Sequence, residues 1–289
     1  MRLFRLNVSR WTLTVIHLSL FMLLPTLALA GENKTTPPGP ARPTPPPVFK
    51  DGANCLFIGH SFFIPVAKQF DKVATRSGFR SHKAKLVFAG GKNGSPGALW
   101  DNPKRKKLIE AKLAGGKIDL LGMTVFSKFN SSFKDYQQWI DLALKYNPKT
   151  RFFIGQCWAA GGPRLANEKY DQAIAASSTR VFKIVTKLRT TYPKNHIYFI
   201  NYGKVASEMK SRYAAKKLPD ITKMVGRDKQ ALYRDGFMGH GGPMMLELSS
   251  LVWLNILYGA EITKLKHTPY QSDVNSITTK VVKYNQQYR

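Results

Sequence analysis

The sequence predicts an α/β protein, a three-layer α/β/α sandwich around a five-stranded parallel sheet. Short apolar runs at 54–58, 84–88, 118–123, 151–156 and 196–201 alternate with longer amphipathic stretches at 66–77, 97–114, 133–146, 167–192 and 204–217. Repeated strand-then-helix units of this kind feed a parallel sheet covered by helices on both faces. A final helix at 243–258 is announced by Pro243 in its first turn and ended by Gly259.

The elements before the first strand set the compartment. Arg2, Arg5 and Arg10 precede an apolar run from Trp11 to Leu27, and Ala28-Leu29-Ala30 supplies small residues at the spacing of a signal-peptidase site. Residues 1–30 are therefore expected to be a signal peptide and the chain to be exported, periplasmic or secreted, with no stable membrane span after cleavage. An uncleaved anchor is the other reading, although the run is shorter than the ~20 residues a spanning helix needs. Residues 31–48 are rich in proline and poor in apolar side chains, so they read as a disordered linker. Residues 49–289 are left to form one α/β domain, long enough to bury a large core.

Charge adds a constraint on partners. The chain has 45 Lys and Arg against 17 Asp and Glu, a formal charge of +28, and loss of a leader carrying three arginines leaves the imbalance almost intact. Such a field draws polyanions and says nothing about fold. Acidic polysaccharide, anionic envelope polymer and membrane headgroups are candidate partners, and a merely solvated lysine-rich surface is the alternative. No nucleic-acid reading motif accompanies the basic residues, so specific nucleic-acid recognition is not expected. Cys55 and Cys157 are the only cysteines. They fall at opposite ends of the predicted sheet and are expected to be unpaired and buried. No CxxC or His/Cys cluster occurs, so neither a metal nor another cofactor is expected.

In an open parallel sheet chemistry collects in the turns after the strands. The first turn reads Ile58-Gly59-His60-Ser61-Phe62, which puts a serine hydroxyl at a strand-to-helix corner. There Ser61 is either a nucleophile awaiting a base or the N-cap of the following helix. The second turn contains Gly90, Gly91, Gly94 and Gly97. It reads as a surface loop or as an oxyanion-binding turn that brings backbone N–H groups close to substrate; a phosphate loop is excluded because no Gly-Lys-Ser/Thr ends it. The third element is Asp235-Gly236-Phe237-Met238-Gly239-His240 just before the last helix. An acid and a histidine on one glycine-rich loop can supply the base and the group that orients it.

These three elements resemble the SGNH/GDSL hydrolase superfamily in order and spacing over residues 53–260. The resemblance implies a flavodoxin-like sandwich with a Ser-His-Asp triad that removes acyl groups through an acyl-enzyme. It makes Ser61 the nucleophile and first oxyanion donor, Gly91 the second donor, His240 the base and Asp235 its orienter. This sequence departs from the family in three ways. His60 stands where the family has Asp or Asn. Asp235 and His240 are five apart rather than three, so the loop must bulge, through Gly236 and Gly239. The third-block Gly-x-Asn-Asp is absent after strand three, which leaves Asn130 or Gln156 as substitute oxyanion donors. His60, Asn93 and Gln156 are the residues expected to contact substrate. The expected function is serine ester hydrolysis, the substrate an acylated carbohydrate or anionic polysaccharide. A sandwich that binds such a glycan without turning it over, and another serine or phospho-transfer chemistry at the same site, are the alternatives.

Overall fold

The computed structural model describes residues 47–126, 130–265 and 270–289. The predicted leader and almost all of the predicted linker lie outside them. Among the described residues no helix is long and apolar enough to cross a membrane.

Five parallel strands form the sheet: β1 (Asn54–Gly59), β2 (Lys83–Phe88), β3 (Leu120–Thr124), β4 (Arg151–Gln156) and β5 (Ile197–Asn201). Their spatial order is β2-β1-β3-β4-β5, the flavodoxin-like order, in which the chain reverses direction across the sheet between β1 and β3. The three central strands are buried on both faces and therefore read as continuous apolar runs rather than alternating ones. The predicted α/β/α sandwich is the observed architecture.

On one face pack α1 (Ile64–Arg76), α6 (Lys204–Ala214), α7 (Pro243–Tyr258) and α8 (Val274–Asn285), around Phe57, Phe63, Phe70, Phe153 and Trp253. The other face carries α3 (Pro103–Leu113), α4 (Phe133–Tyr146) and much of α5 (Asn167–Thr191), closing over Leu56, Ile58, Leu121 and Met123.

Three differences from the sequence expectation have local causes. The stretch read as one helix at 97–114 is two, α2 (Pro96–Asp101) and α3. Pro103 cannot donate its backbone nitrogen, and the Asn102 side chain accepts from the Arg105 N–H at 3.0 Å to start a new helix. The helix at 243–258 is not the last, because α8 follows, its start capped by Asp273 accepting from the Ser276 N–H at 2.8 Å. Between α6 and α7 a two-stranded parallel ribbon, β6 (Lys223–Val225) and β7 (Ala231–Tyr233), was not expected. The ribbon leads directly into the loop that carries Asp235 and His240.

Candidate active site

The corner after β1 brings Ser61 to the carboxyl edge of the sheet, at the switch point. Ser61 is not a helix cap: Phe63 is the N-cap of α1 and no side chain caps that helix. Its hydroxyl instead donates to His240 Nε2 at 2.9 Å, and the opposite ring nitrogen, Nδ1–H, donates to Asp235 Oδ2 at 2.6 Å. Three residues separated by up to 179 positions thus form one hydrogen-bonded chain.

The five-residue spacing of acid and histidine is resolved by the carboxylate itself. Asp235 Oδ1 accepts the N–H groups of Met238 and Gly239 at 2.7 and 3.0 Å, and Oδ2 accepts the His240 N–H at 3.2 Å as well as the ring. Asp235 therefore folds the loop and orients the imidazole at once. Burial works against its charge, but the hydrogen bonds from His240 and the three backbone N–H groups win and hold the carboxyl at about 2. Of the two glycines expected to allow the bulge, Gly239 is required. It lies at φ +77°, and a Cβ there would stand 2.8 Å from the Pro163 ring. Gly236 has no positive φ, and a Cβ there would make only an ordinary contact with Val225 at 3.9 Å, so it is not the bulge residue.

The loop is held from both ends. Tyr233 bridges to Gly241, Arg234 N–H donates to His240 O at 2.7 Å, and Gly242 N–H donates to Leu232 O at 2.8 Å. From below it is held by the segment after β4, which sequence reasoning did not single out. Trp158 stacks on Phe62 with ring centroids 5.4 Å apart, and Gly161 N–H and Arg164 both donate to loop carbonyls, Met238 O and Phe237 O, at 2.9 Å. The buried Lys210 ammonium pins that segment in turn, donating to Gly162 O at 2.8 Å and Leu165 O at 3.1 Å. The signal for this support was the apolar Cys157-Trp158 followed by Gly161-Gly162-Pro163 at the carboxyl end of a strand.

The glycine-rich turn after β2 forms a short 3-10 helix, Gly91–Gly94. Gly94 fits against β1, where a Cβ would lie 2.8 Å from the carbonyl of Gly59, two residues before Ser61. Gly91 stands at φ +52° with open space around its α-carbon, and its N–H donates to no protein acceptor among the described residues. The Ser61 N–H likewise has no acceptor among the described residues. Asn93 is exposed on this turn.

Other expected contacts fall elsewhere. His60 is buried with both ring nitrogens engaged: Nε2–H donates to Val125 O at 3.0 Å and Nδ1 accepts the Phe62 N–H at 3.1 Å. It has no polar atom left for substrate. Gln156 is also buried and used internally, donating to Cys157 O at 3.1 Å and accepting from Ser177 Oγ at 3.2 Å, so it offers neither a substrate contact nor a substitute oxyanion donor. Asn130, at φ +57°, accepts the Gly97 N–H through its carbonyl at 3.1 Å and makes no hydrogen bond to Ser61 or His240. Cys55 and Cys157 are both free and buried, and burial pushes each thiol up to about 12.

A scan against protein-family models found no match, and a search of curated proteins found none. Among solved structures, a DUF4886 family protein from Bacteroides uniformis superimposes with a TM-score of 0.52 at 14% identity, over 80% of this chain and 94% of that one. A candidate GDSL-like lipase from Parabacteroides merdae gives 0.42 at 12% identity, over 74% of this chain and 98% of that one. The periplasmic domain of a lipopolysaccharide acetyltransferase from Salmonella ser. Paratyphi A gives 0.41 at 13%, over 74% and 85%. At these identities only the fold is shared, and the first of the three carries it. The sheet order β2-β1-β3-β4-β5 is the flavodoxin-like one that the motifs led to expect.

Proposed function

We propose that this chain is an exported serine ester hydrolase of SGNH type that deacylates a carbohydrate, most suitably an anionic polysaccharide. The observation that carries the proposal is the Ser61–His240–Asp235 chain, 2.9 and 2.6 Å, with the Ser61 and Gly91 N–H groups free of any acceptor among the described residues. A serine hydroxyl is too weak a nucleophile alone, and a histidine whose Nδ1–H is fixed by a carboxylate presents Nε2 as the base it needs.

In the proposed reaction Ser61 Oγ attacks the ester carbonyl carbon while its proton passes to His240 Nε2. The carbonyl oxygen becomes an oxyanion that accepts from the Ser61 and Gly91 N–H groups. Collapse breaks the bond to the alcohol, which leaves with the proton from His240. Water, deprotonated by the same nitrogen, then attacks the acyl-serine and releases the carboxylic acid. Asp235 remains ionised throughout and stabilises the imidazolium. The excess of basic residues favours a polyanionic substrate, and the leader-like first 30 residues favour action outside the cytoplasm.

The test is turnover of p-nitrophenyl acetate by the wild-type protein and by Ser61→Ala, with mass spectrometry of Ser61 after a fluorophosphonate. Loss of turnover in the variant at an unchanged melting temperature, and phosphonylation of Ser61, are expected. Undiminished turnover by Ser61→Ala would overturn the assignment.

A further inference from the structure

The corner between β1 and α1 presents four consecutive backbone N–H groups, those of Ser61, Phe62, Phe63 and Ile64. One residue takes three of them. The His60 carbonyl accepts from Phe63 and Ile64 at 3.0 Å each, and the His60 ring accepts from Phe62 through Nδ1 at 3.1 Å. Of the four, only the Ser61 N–H is left without an acceptor among the described residues, and it is the one the proposed reaction points at an oxyanion.

The same ring crosses to the neighbouring strand. Its Nε2–H donates to Val125 O at 3.0 Å and lies 3.0 Å from Thr124 Oγ1, at the end of β3. Phe62 and Phe126 box the imidazole edge-on, with centroids 5.9 and 5.5 Å away. The nucleophile turn is thereby tied to β3 by a buried side chain whose ring nitrogens are both engaged.

We infer that His60 is a positioning residue, which selects the Ser61 N–H as the free donor of the corner and braces that corner against β3. The inference rests on the reading of Ser61 as nucleophile. It requires an uncharged ring with hydrogen on Nε2, because an imidazolium has no lone pair for the Phe62 N–H. Burial pushes the ring down to about 4, against the Val125 hydrogen bond and helped by the charge of His240. The titratable groups around it are His240, whose ring meets Phe62 edge-on at 4.9 Å; Asp235 behind His240; Cys157, whose thiol faces Val125 O at 3.8 Å; and Tyr136, which donates to Thr124 O at 3.1 Å. Asp235 is ionised, and the buried thiol and phenol are neutral, throughout the range in which His60 takes up a proton.

The experiment compares wild type, His60→Ala, His60→Asn and Ser61→Ala with p-nitrophenyl acetate as the probe. In His60→Ala, kcat is expected to fall ~10- to 100-fold, as for a misplaced oxyanion donor, with KM within ~2-fold. His60→Asn is expected to recover most of the loss, because a carboxamide oxygen can accept the N–H two residues on. Between pH 5 and 4 wild-type kcat should show a loss that His60→Asn lacks. Wild-type kcat in His60→Ala, or the same acid limb in His60→Asn, would overturn the inference, and the second comparison decides should the alanine variant fail to fold. Ser61→Ala separates the two levels: inactive Ser61→Ala with either of those results removes only the role of His60, whereas active Ser61→Ala removes the nucleophile.

Discussion

The indole N–H of Trp158 donates to the carbonyl of Gly239 at 2.9 Å, which couples the segment after β4 to the residue next to His240. Trp158→Phe keeps the stacking on Phe62 but leaves that carbonyl without its donor. A lost buried hydrogen bond costs about 1–3 kcal/mol, and a small misplacement of a catalytic loop can cost up to ~100-fold in rate. The variant is expected to melt earlier and to lose at least ~10-fold in kcat. Denaturant unfolding and steady-state kinetics check the two effects separately, and wild-type kcat would show that the indole does not position the loop.

Asp235→Asn should be more damaging than its isosteric change suggests. All four hydrogen bonds to the carboxylate come from N–H donors, two on each oxygen, and a carboxamide can accept on one side only. A kcat loss of ~1,000- to 10,000-fold is expected, the range for triad aspartates. Stability carries a second signature. The folded carboxyl lies at about 2, below its ordinary value of 3.8. Its contribution is therefore present above pH ~4 and is lost as pH falls through that window towards 2. Acid unfolding of the variant should lack this component, and an unchanged acid profile would count against the carboxylate's role in folding the loop.

Gly94→Ala and Gly90→Ala form a matched pair on the turn after β2. A Cβ at Gly94 would come within 2.8 Å of the Gly59 carbonyl, whereas one at Gly90, where φ is −72°, meets nothing within 4 Å. Gly94→Ala is expected to lower both the melting temperature and kcat, because the turn bearing Gly91 is pushed away from the Ser61 corner. Gly90→Ala should leave both unchanged. Equal behaviour of the pair would remove this turn from the site.

The sheet and the three chain positions of the candidate triad were legible in the sequence because each has a strong local signature. Buried parallel strands are unbroken apolar runs, and Ser61 and the Asp235–His240 loop lie at the turns where a switch-point fold collects its chemistry. His60 and Gln156 misled because residue type and position do not reveal which way a side chain turns. His60 sits one residue from Ser61 yet its ring points at β3, and Gln156 ends a strand yet is spent on Cys157 and Ser177. The three-residue strands β6 and β7 are too short for a period to register. The Asn102-Pro103 break was visible as a cap followed by a proline, and the pattern on either side concealed it.

The final prediction makes the positive charge measurable. The chain carries a formal +28, and most lysines and arginines among the described residues are exposed, so their fields are screened over ~8–10 Å at physiological ionic strength. If that field captures the substrate, binding to a sulfated or uronate-rich polysaccharide should weaken steeply from low to physiological salt. Hydrolysis of p-nitrophenyl acetate should scarcely respond, because the Ser61–His240 contact is a short hydrogen bond at 2.9 Å and the small ester is neutral. The two salt titrations, run on one preparation, give the contrast. Parallel salt curves, or no binding to either polymer, would mean that the basic surface only keeps the protein solvated. The polyanion would then be withdrawn as substrate class, while the assignment of an ester hydrolase would still stand or fall on Ser61→Ala.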